Sequence, residues 1–171
     1  DKFDDPANLS ALIDGISGII YTHNHGDHLG FFHQIPEAIP QYIGQMSRDV
    51  VLNILDESLN KADRSNRKSL IEEIKYKASR LKAFRTYISG QEFAVGDIKI
   101  TPYFVSHSAA DSHLFLIECD GKRVVHTGDL REHGFLGKGL EKILRKYLTD
   151  VDVLITEGTM LSRCDEHIKS E

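Results

Sequence analysis

The run His23-Asn24-His25-Gly26-Asp27-His28 places four metal-capable side chains within six positions, directly behind the apolar stretch Gly18-Ile19-Ile20-Tyr21. A short buried strand that delivers such a loop limits the chain to folds in which a strand end opens onto a reactive site. In an extended segment alternate side chains point the same way, so His23 and His25 can share one ion. Gly26 then permits a tight turn, and Asp27 and His28 follow as neighbours able to face a second ion, with Gly30 easing the exit into the next helix.

The remaining pattern is that of an α/β layered domain. Val50, Val51, Ile54, Leu55 and Leu59 recur at helical spacing, as do Leu70, Ile74, Ala78 and Leu81, predicting two amphipathic helices around the polar stretch Asn60 to Asn66. Together they form a helical insertion near residues 45–85. Strand patterns follow at Ile98 to Val105, His113 to Glu118 and Lys122 to Val125, the last two joined by an Asp120-Gly121 hairpin turn. Leu136, Leu140, Ile143, Leu144, Tyr147 and Leu148 fall on one helix face, and Val151 to Ile155 reads as a further buried strand.

Composition narrows the function classes. With 171 residues the chain can bury a core, and 40% apolar with 27% charged residues fits a folded domain. The net charge of −5 rules out a general electrostatic grip on nucleic acid, so any such contact must be local. Residues 61–85 supply one candidate, with nine basic and three acidic side chains, although a solvated helix face is the commoner cause of such a stripe. Cys119 and Cys164 form no Cys-x-x-Cys pair, which points to a reducing cytoplasm and excludes a cysteine-rich zinc knot. No run approaches a membrane span, and Asp1 to Pro6 lack signal-peptide character, so neither membrane nor export is expected.

The His-x-His-x-Asp-His run after a strand resembles the signature of the metallo-β-lactamase superfamily, which implies a four-layer αββα sandwich. The resemblance places a further histidine at His107, after Tyr103-Phe104-Val105-Ser106, and a bridging aspartate at Asp129, in Thr127-Gly128-Asp129. His23, His107, Asp129 and also Glu157 all lie shortly past the C-terminal ends of predicted strands, where ligands gather in open α/β sheets. Finer words resemble the β-CASP nucleases, the ribonuclease J group above all: His107-Ser108-Ala109-Ala110-Asp111-Ser112, Thr127-Gly128-Asp129-Leu130-Arg131 and Glu157-Gly158-Thr159. Leu130 departs from the Phe of that branch. Measured against the resemblance, the chain is a partial catalytic domain spanning 1–171 and truncated at both ends. It lacks the strands before the first motif, the β-CASP cap and the last ligand histidine, a place filled by none of His113, His126, His133 or His167.

The resemblance implies a metal-dependent hydrolase that cleaves RNA phosphodiesters. Its metal ligands would be His23, His25, Asp27, His28, His107 and Asp129, with Asp27, Asp129 and Glu157 in catalytic roles, Glu157 by orienting a histidine. Imidazoles and carboxylates without thiolates suit two Zn²⁺ ions, with Mn²⁺ as the second choice, activating a shared water. RNA is the expected partner, and unpaired edges on the sheet of Ile19 to Tyr21 favour self-association into a homo-oligomer. Thioester, lactone or small phosphodiester hydrolysis uses the same ligand set, and a non-catalytic scaffold could retain the fold. His33 and His126 read as packed or exposed residues rather than ligands.

Overall fold

The structure, a computed structural model, describes residues 9, 11–133 and 137–159. Leu136, Cys164, His167 and Asp1 to Pro6 lie outside the described residues. Two sheets form its centre. One holds three strands in the order β1 (Ile19–Ile20), β2 (Gln41–Gly44) and β3 (Arg85–Tyr87), all parallel. The other holds five in the order β4 (Phe93–Val95), β5 (Ile98–Phe104), β6 (His113–Cys119), β7 (Lys122–His126) and β8 (Val153–Ile155). The β4–β5, β5–β6 and β6–β7 pairs are antiparallel and β7–β8 is parallel. Strands β5, β7 and β8 therefore run the same way, and their C-terminal ends share one edge. At that edge His113 N donates to Thr22 O across the sheets at 3.0 Å.

Alternation along the strands builds two cores. In β2, Tyr42 points between the sheets and its neighbour Ile43 points to the helices. Between the sheets Tyr42, Tyr87, Val95, Ile100 and Phe115 are buried together, with Phe93 stacked on both tyrosines. On the other face Ile43, Leu81, Phe84 and Phe32 pack beneath α2 (Gln45–Arg64) and α3 (Lys68–Lys82). Burying such side chains supplies about 1.5–3 kcal/mol each. A shorter helix, α1 (Gly26–Leu29), leaves β1. The last described helix, α4 (Gly137–Tyr147), covers the outer face of the five-stranded sheet, where Tyr147 stacks on Tyr103 with ring centroids 5.0 Å apart. The layers run helix, sheet, sheet, helix, which is the αββα arrangement of the metallo-β-lactamase-like class. No described helix is long and apolar enough to cross a membrane.

Three expectations change. Helix α2 continues through most of the polar stretch Asn60 to Asn66, because Ala62 carries its buried stripe one turn past Leu59 against α3. Strands β2 and β3 were not expected from the pattern, being only four and three residues long. Strand β8 is shorter than Val151 to Ile155 and is exposed rather than buried, Leu154 reaching 62%. It is the edge strand, and no described residue covers it. The Asp120-Gly121 turn is as expected, both residues having positive φ (51° and 71°) as a tight hairpin requires.

The loop between β5 and β6 is pinned by Asp111, whose backbone adopts φ 64°. Its Oδ2 accepts the Ser47 N–H at the start of α2 at 2.9 Å, and the Ser47 hydroxyl donates to the carbonyls of Ala110 and Asp111. A Cβ at Gly44 would overlap that carboxylate. Since the carboxylate is held by Ser47 and cannot swing away, Gly44→Ala is expected to destabilise the fold by about 1–3 kcal/mol, read as a lower urea midpoint at unchanged slope.

His113 is completely buried, its Nδ1–H donating to the Asp111 carbonyl at 2.8 Å. Burial lowers its pKa, opposed by the Asp111 carboxylate 3.7 Å away. An imidazole with a depressed folded pKa is protonated first in the unfolded chain, so its contribution is intact above about pH 6.5 and is lost as pH falls. Urea midpoints of the metal-free protein should drop from pH 7 to pH 5. His113→Asn, which keeps a donor near Nδ1 but cannot titrate, should reduce that dependence, to which His23 and His107 also contribute, while lowering stability throughout.

Candidate metal centre

The candidate ligands hang from strand ends at the shared edge. Chain leaving β1 carries His23, His25 and then His28 on α1, the β5–β6 loop carries His107, and the segment after β7 carries Asp129. Two groups of donor atoms result, each with all members within 4.8 Å of one another: His23, His25 and His107, and His23, His28 and Asp129. His25 Nδ1 lies 3.2 Å from His23 Nε2 and 3.2 Å from His107 Nε2. His28 Nε2 lies 3.4 Å from Asp129 Oδ2, and His107 Nε2 lies 3.8 Å from the same oxygen.

Tautomer and burial both favour a cation. The Thr22 hydroxyl sits 2.9 Å from His23 Nδ1, which directs Nε2 into the cluster. His23 is fully buried, and burial above all, then the His28, His107 and His25 rings, push its pKa down to about 4 against the opposing Asp129 carboxylate. Burial likewise lowers His107, again opposed by Asp129. The lone pairs of crowded neutral imidazoles thus converge where a metal can accept them. A tetrahedral Zn²⁺ with bonds of about 2.0–2.1 Å spaces neighbouring nitrogens about 3.3 Å apart, close to the two 3.2 Å separations. The donor set, imidazole and carboxylate without thiolate, fits Zn²⁺ or Mn²⁺.

Asp27 takes a different place from its neighbours. It lies in the first turn of α1, where successive side chains are about 100° apart, so its carboxylate reaches His28 from the exposed rim of the cluster. Its side chain is 77% exposed, 3.6 Å from His28 Nε2, and belongs to neither donor group. Glu157 reaches the centre through the backbone: its Oε1 accepts the Leu130 N–H at 2.8 Å and so braces the segment carrying Asp129. Burial raises the Glu157 pKa, but hydrogen bonds from Thr159 and Leu130 and the nearby His107 bring it below the ordinary carboxylate value. His126 Nδ1 accepts the Gly128 N–H at 3.1 Å and is not a member of either donor group. His33 packs against Phe32, while its carbonyl accepts the Tyr76 hydroxyl.

Residue-by-residue reading gave no role to Thr22 or Gly128. Gly128 has φ 57°, and a Cβ there would lie 2.9 Å from Thr22 and 3.2 Å from the His113 carbonyl. The glycine lets the Asp129 segment close over Thr22. The only trace in the sequence is position, Thr before the first histidine and Gly before the aspartate.

The Beta-lactamase superfamily domain matches residues 2–170. The chain belongs to this superfamily. Solved structures agree on the fold. A protein of unknown function from Enterococcus faecalis V583 is 18% identical with a TM-score of 0.66, over 89% of this chain and 33% of that one. A possible metal-dependent hydrolase from Veillonella parvula DSM 2008 is 17% identical with a TM-score of 0.52, over 85% and 50%. Zn(2+)-bound PqqB from Methylobacterium extorquens is 14% identical with a TM-score of 0.50, over 85% and 48%. The chain thus spans from a third to half the length of these structures. No curated protein matches it.

Metal loading tests the cluster directly. After incubation with Zn²⁺ or Mn²⁺ and dialysis, elemental analysis should find at least about one equivalent bound per chain, and His23→Ala, which removes the member common to both groups, should lower uptake more than Asp27→Ala. Folded protein that retains less than about a tenth of an equivalent would leave the histidines without a metal role.

Proposed function

We propose that this superfamily domain is the metal-binding part of a hydrolase that cleaves RNA phosphodiesters, of the ribonuclease J kind within the β-CASP branch. The observation that carries the hydrolase reading is the meeting of two donor groups on the shared residue His23. The RNA reading is supported by three resemblances, His107-Ser-Ala-Ala-Asp111-Ser112, Thr127-Gly-Asp129-Leu-Arg131 and Glu157-Gly-Thr159. Two of them have a physical counterpart at the site. Asp111 fixes the His107 loop onto α2, and Glu157 holds the Asp129 segment through Leu130 N.

Metal ions held here supply Lewis-acid polarisation of a phosphoryl oxygen and lower the pKa of water to generate the nucleophile. The chain's own residues set the geometry. Thr22 orients the His23 ring, His25 and His107 complete one donor group, and Asp129 with His28 forms the other. Glu157 acts as a positioning group for Asp129, whose carboxylate lies near both His28 and His107 and would be the anionic ligand of a metal held there. Asp27, at the rim beside His28, can approach a second ion by a rotamer change.

The test uses the metal-loaded full-length protein on matched RNA, single-stranded DNA, thioester and lactone substrates. RNA cleavage that is lost on chelation and restored by Zn²⁺ or Mn²⁺ is expected. Asp129→Asn should lower RNA turnover at least about a hundredfold while leaving thermal stability near that of the parent, because an uncharged amide no longer holds two dications together. Turnover of the thioester or lactone alone would replace the nuclease reading with another metal-dependent hydrolase, and full activity in Asp129→Asn would reduce Asp129 to a turn residue.

A further inference from the structure

At the same edge of the sheets, and separate from every candidate ligand, lies an open cavity of about 530 Å³. One wall is a stripe of α2, since Met46, Asp49, Val50 and Asn53 fall on one helix face. The other wall is made by the ends of β3 and β5, Ile88 next to Tyr87 and Phe104 closing its strand, tied together where Phe104 N donates to Ser89 Oγ at 3.0 Å. Asp111 forms one end of the cavity. The stretch from His107 to Asp111 cannot separate their Cα atoms by more than about 14 Å, so the cavity adjoins the metal centre.

Three properties define what fits. Met46, Ile88 and Phe104 each leave two-fifths or more of their surface open around one hollow, a grouping typical of binding sites rather than of ordinary surface. The Phe104 ring is also rigidly backed. Its centroid lies 4.5 Å from that of His113 at 29°, and His113 is itself buried and bonded to the Asp111 carbonyl. A backed aromatic ring at the rim of a hollow is a stacking platform. The third property is charge. Among the described lining residues there is no lysine or arginine, while Asp49 and Asp111 are both present. A phosphate would be repelled there, whereas a neutral ring bearing an amino group would be attracted. Asp111 already spends Oδ2 on Ser47 N. Asp49 has more capacity left, being half-exposed and approached by Arg48 Nε only at 3.5 Å from Oδ1.

We infer that this cavity is a nucleobase subsite, in which a base flanking the scissile phosphate stacks on Phe104 and donates its exocyclic amino group to Asp49. This rests on the RNA reading above. The two sites divide the nucleotide by chemistry, the anionic phosphodiester going to the metal-binding edge and the neutral base to the acidic, aromatic hollow. Adenine and cytosine carry the required amino group and uracil does not, so the subsite discriminates by composition rather than by a full sequence code.

Short homopolymers of A, C and U, cleaved by the metal-loaded full-length protein, provide the test. KM is expected to be about tenfold lower for A and C than for U. Asp49→Asn, an exposed substitution that a surface helix tolerates, replaces the charged acceptor with a neutral one and should markedly narrow the A to U ratio of KM. Phe104→Ala should raise KM about tenfold for all three, with circular dichroism and bound-metal content reporting whether its fold and centre are intact. If that variant misfolds, Asp49→Asn alone still decides. Cleavage of all three polymers with equal KM, unchanged in Asp49→Asn, would overturn the subsite while leaving the RNA reading in place. Absence of RNA cleavage alongside turnover of a thioester or lactone would overturn both.

Discussion

One backbone hydrogen bond, His113 N–H to the Thr22 carbonyl at 3.0 Å, brings the two sheets together where the chemistry is. Thr22 immediately precedes His23, and His113 opens β6 at the end of the loop that carries His107. The same junction receives Gly128, whose missing side chain lets the Asp129 segment pass against both Thr22 and the His113 carbonyl. Three segments distant in sequence therefore reach the centre through one contact between sheets. Parallel strands in the smaller sheet and an alternating order in the larger one put the relevant ends on the same side, and the αββα layering encloses that side from behind with Tyr87, Phe93 and Phe115.

Electrostatics then decides what the junction can hold. Imidazoles this close cannot all be protonated, and the depressed pKa of His23 follows from burial and from its histidine neighbours together. His23 and His107, both held neutral by burial, therefore offer ring lone pairs beside Asp129 that need a partner to take them. A dication meets that demand better than a proton, because one ion can be shared by three donors where one proton serves two. The outlying residues act on orientation. Thr22 sets which nitrogen of His23 faces in, Glu157 fixes the backbone beside Asp129, and Asp111 fixes the loop of His107.

The sequence made the centre legible to an uneven degree. His23, His25 and His28 stand in one local run, and their meeting needed only strand alternation and a turn. His107 and Asp129 had to be placed by resemblance, since a single histidine or a Gly-Asp pair has no local pattern that marks it. Asp27 is harder to place from the sequence: the chain is already helical at Gly26, and its carboxylate stands exposed at the rim, 3.6 Å from His28 Nε2. The fold was readable wherever a period ran long enough. Helices α2 and α3 and the β5–β6–β7 meander have such periods, whereas β2 and β3 are too short, and their burial comes from helices and a second sheet that no local window contains. The basic stripe at 61–85 is engaged in part: Lys75 and Lys77 pair with Glu72 and Glu73, and Arg80 is buried against Glu37 and the Ile35 carbonyl.

That loss of free positive charge bears on how a polyanion could be held at all. A chain with net charge −5, in which Lys75, Lys77 and Arg80 already pair with carboxylates, offers little long-range attraction to a polyanion, and at physiological salt what remains is screened beyond about 8 Å. On the proposed RNA reading, attraction would therefore have to come from within contact distance of the scissile group. On that reading the metal-binding edge supplies it through the cations it would hold. Affinity and chemistry would then be coupled, since cations able to polarise a phosphodiester would also be the charges that retain it. Neutral parts of the substrate must then add the rest of the binding energy through stacking and shape, which is the kind of contact the backed ring of Phe104 and the apolar side chains of Met46 and Ile88 can make.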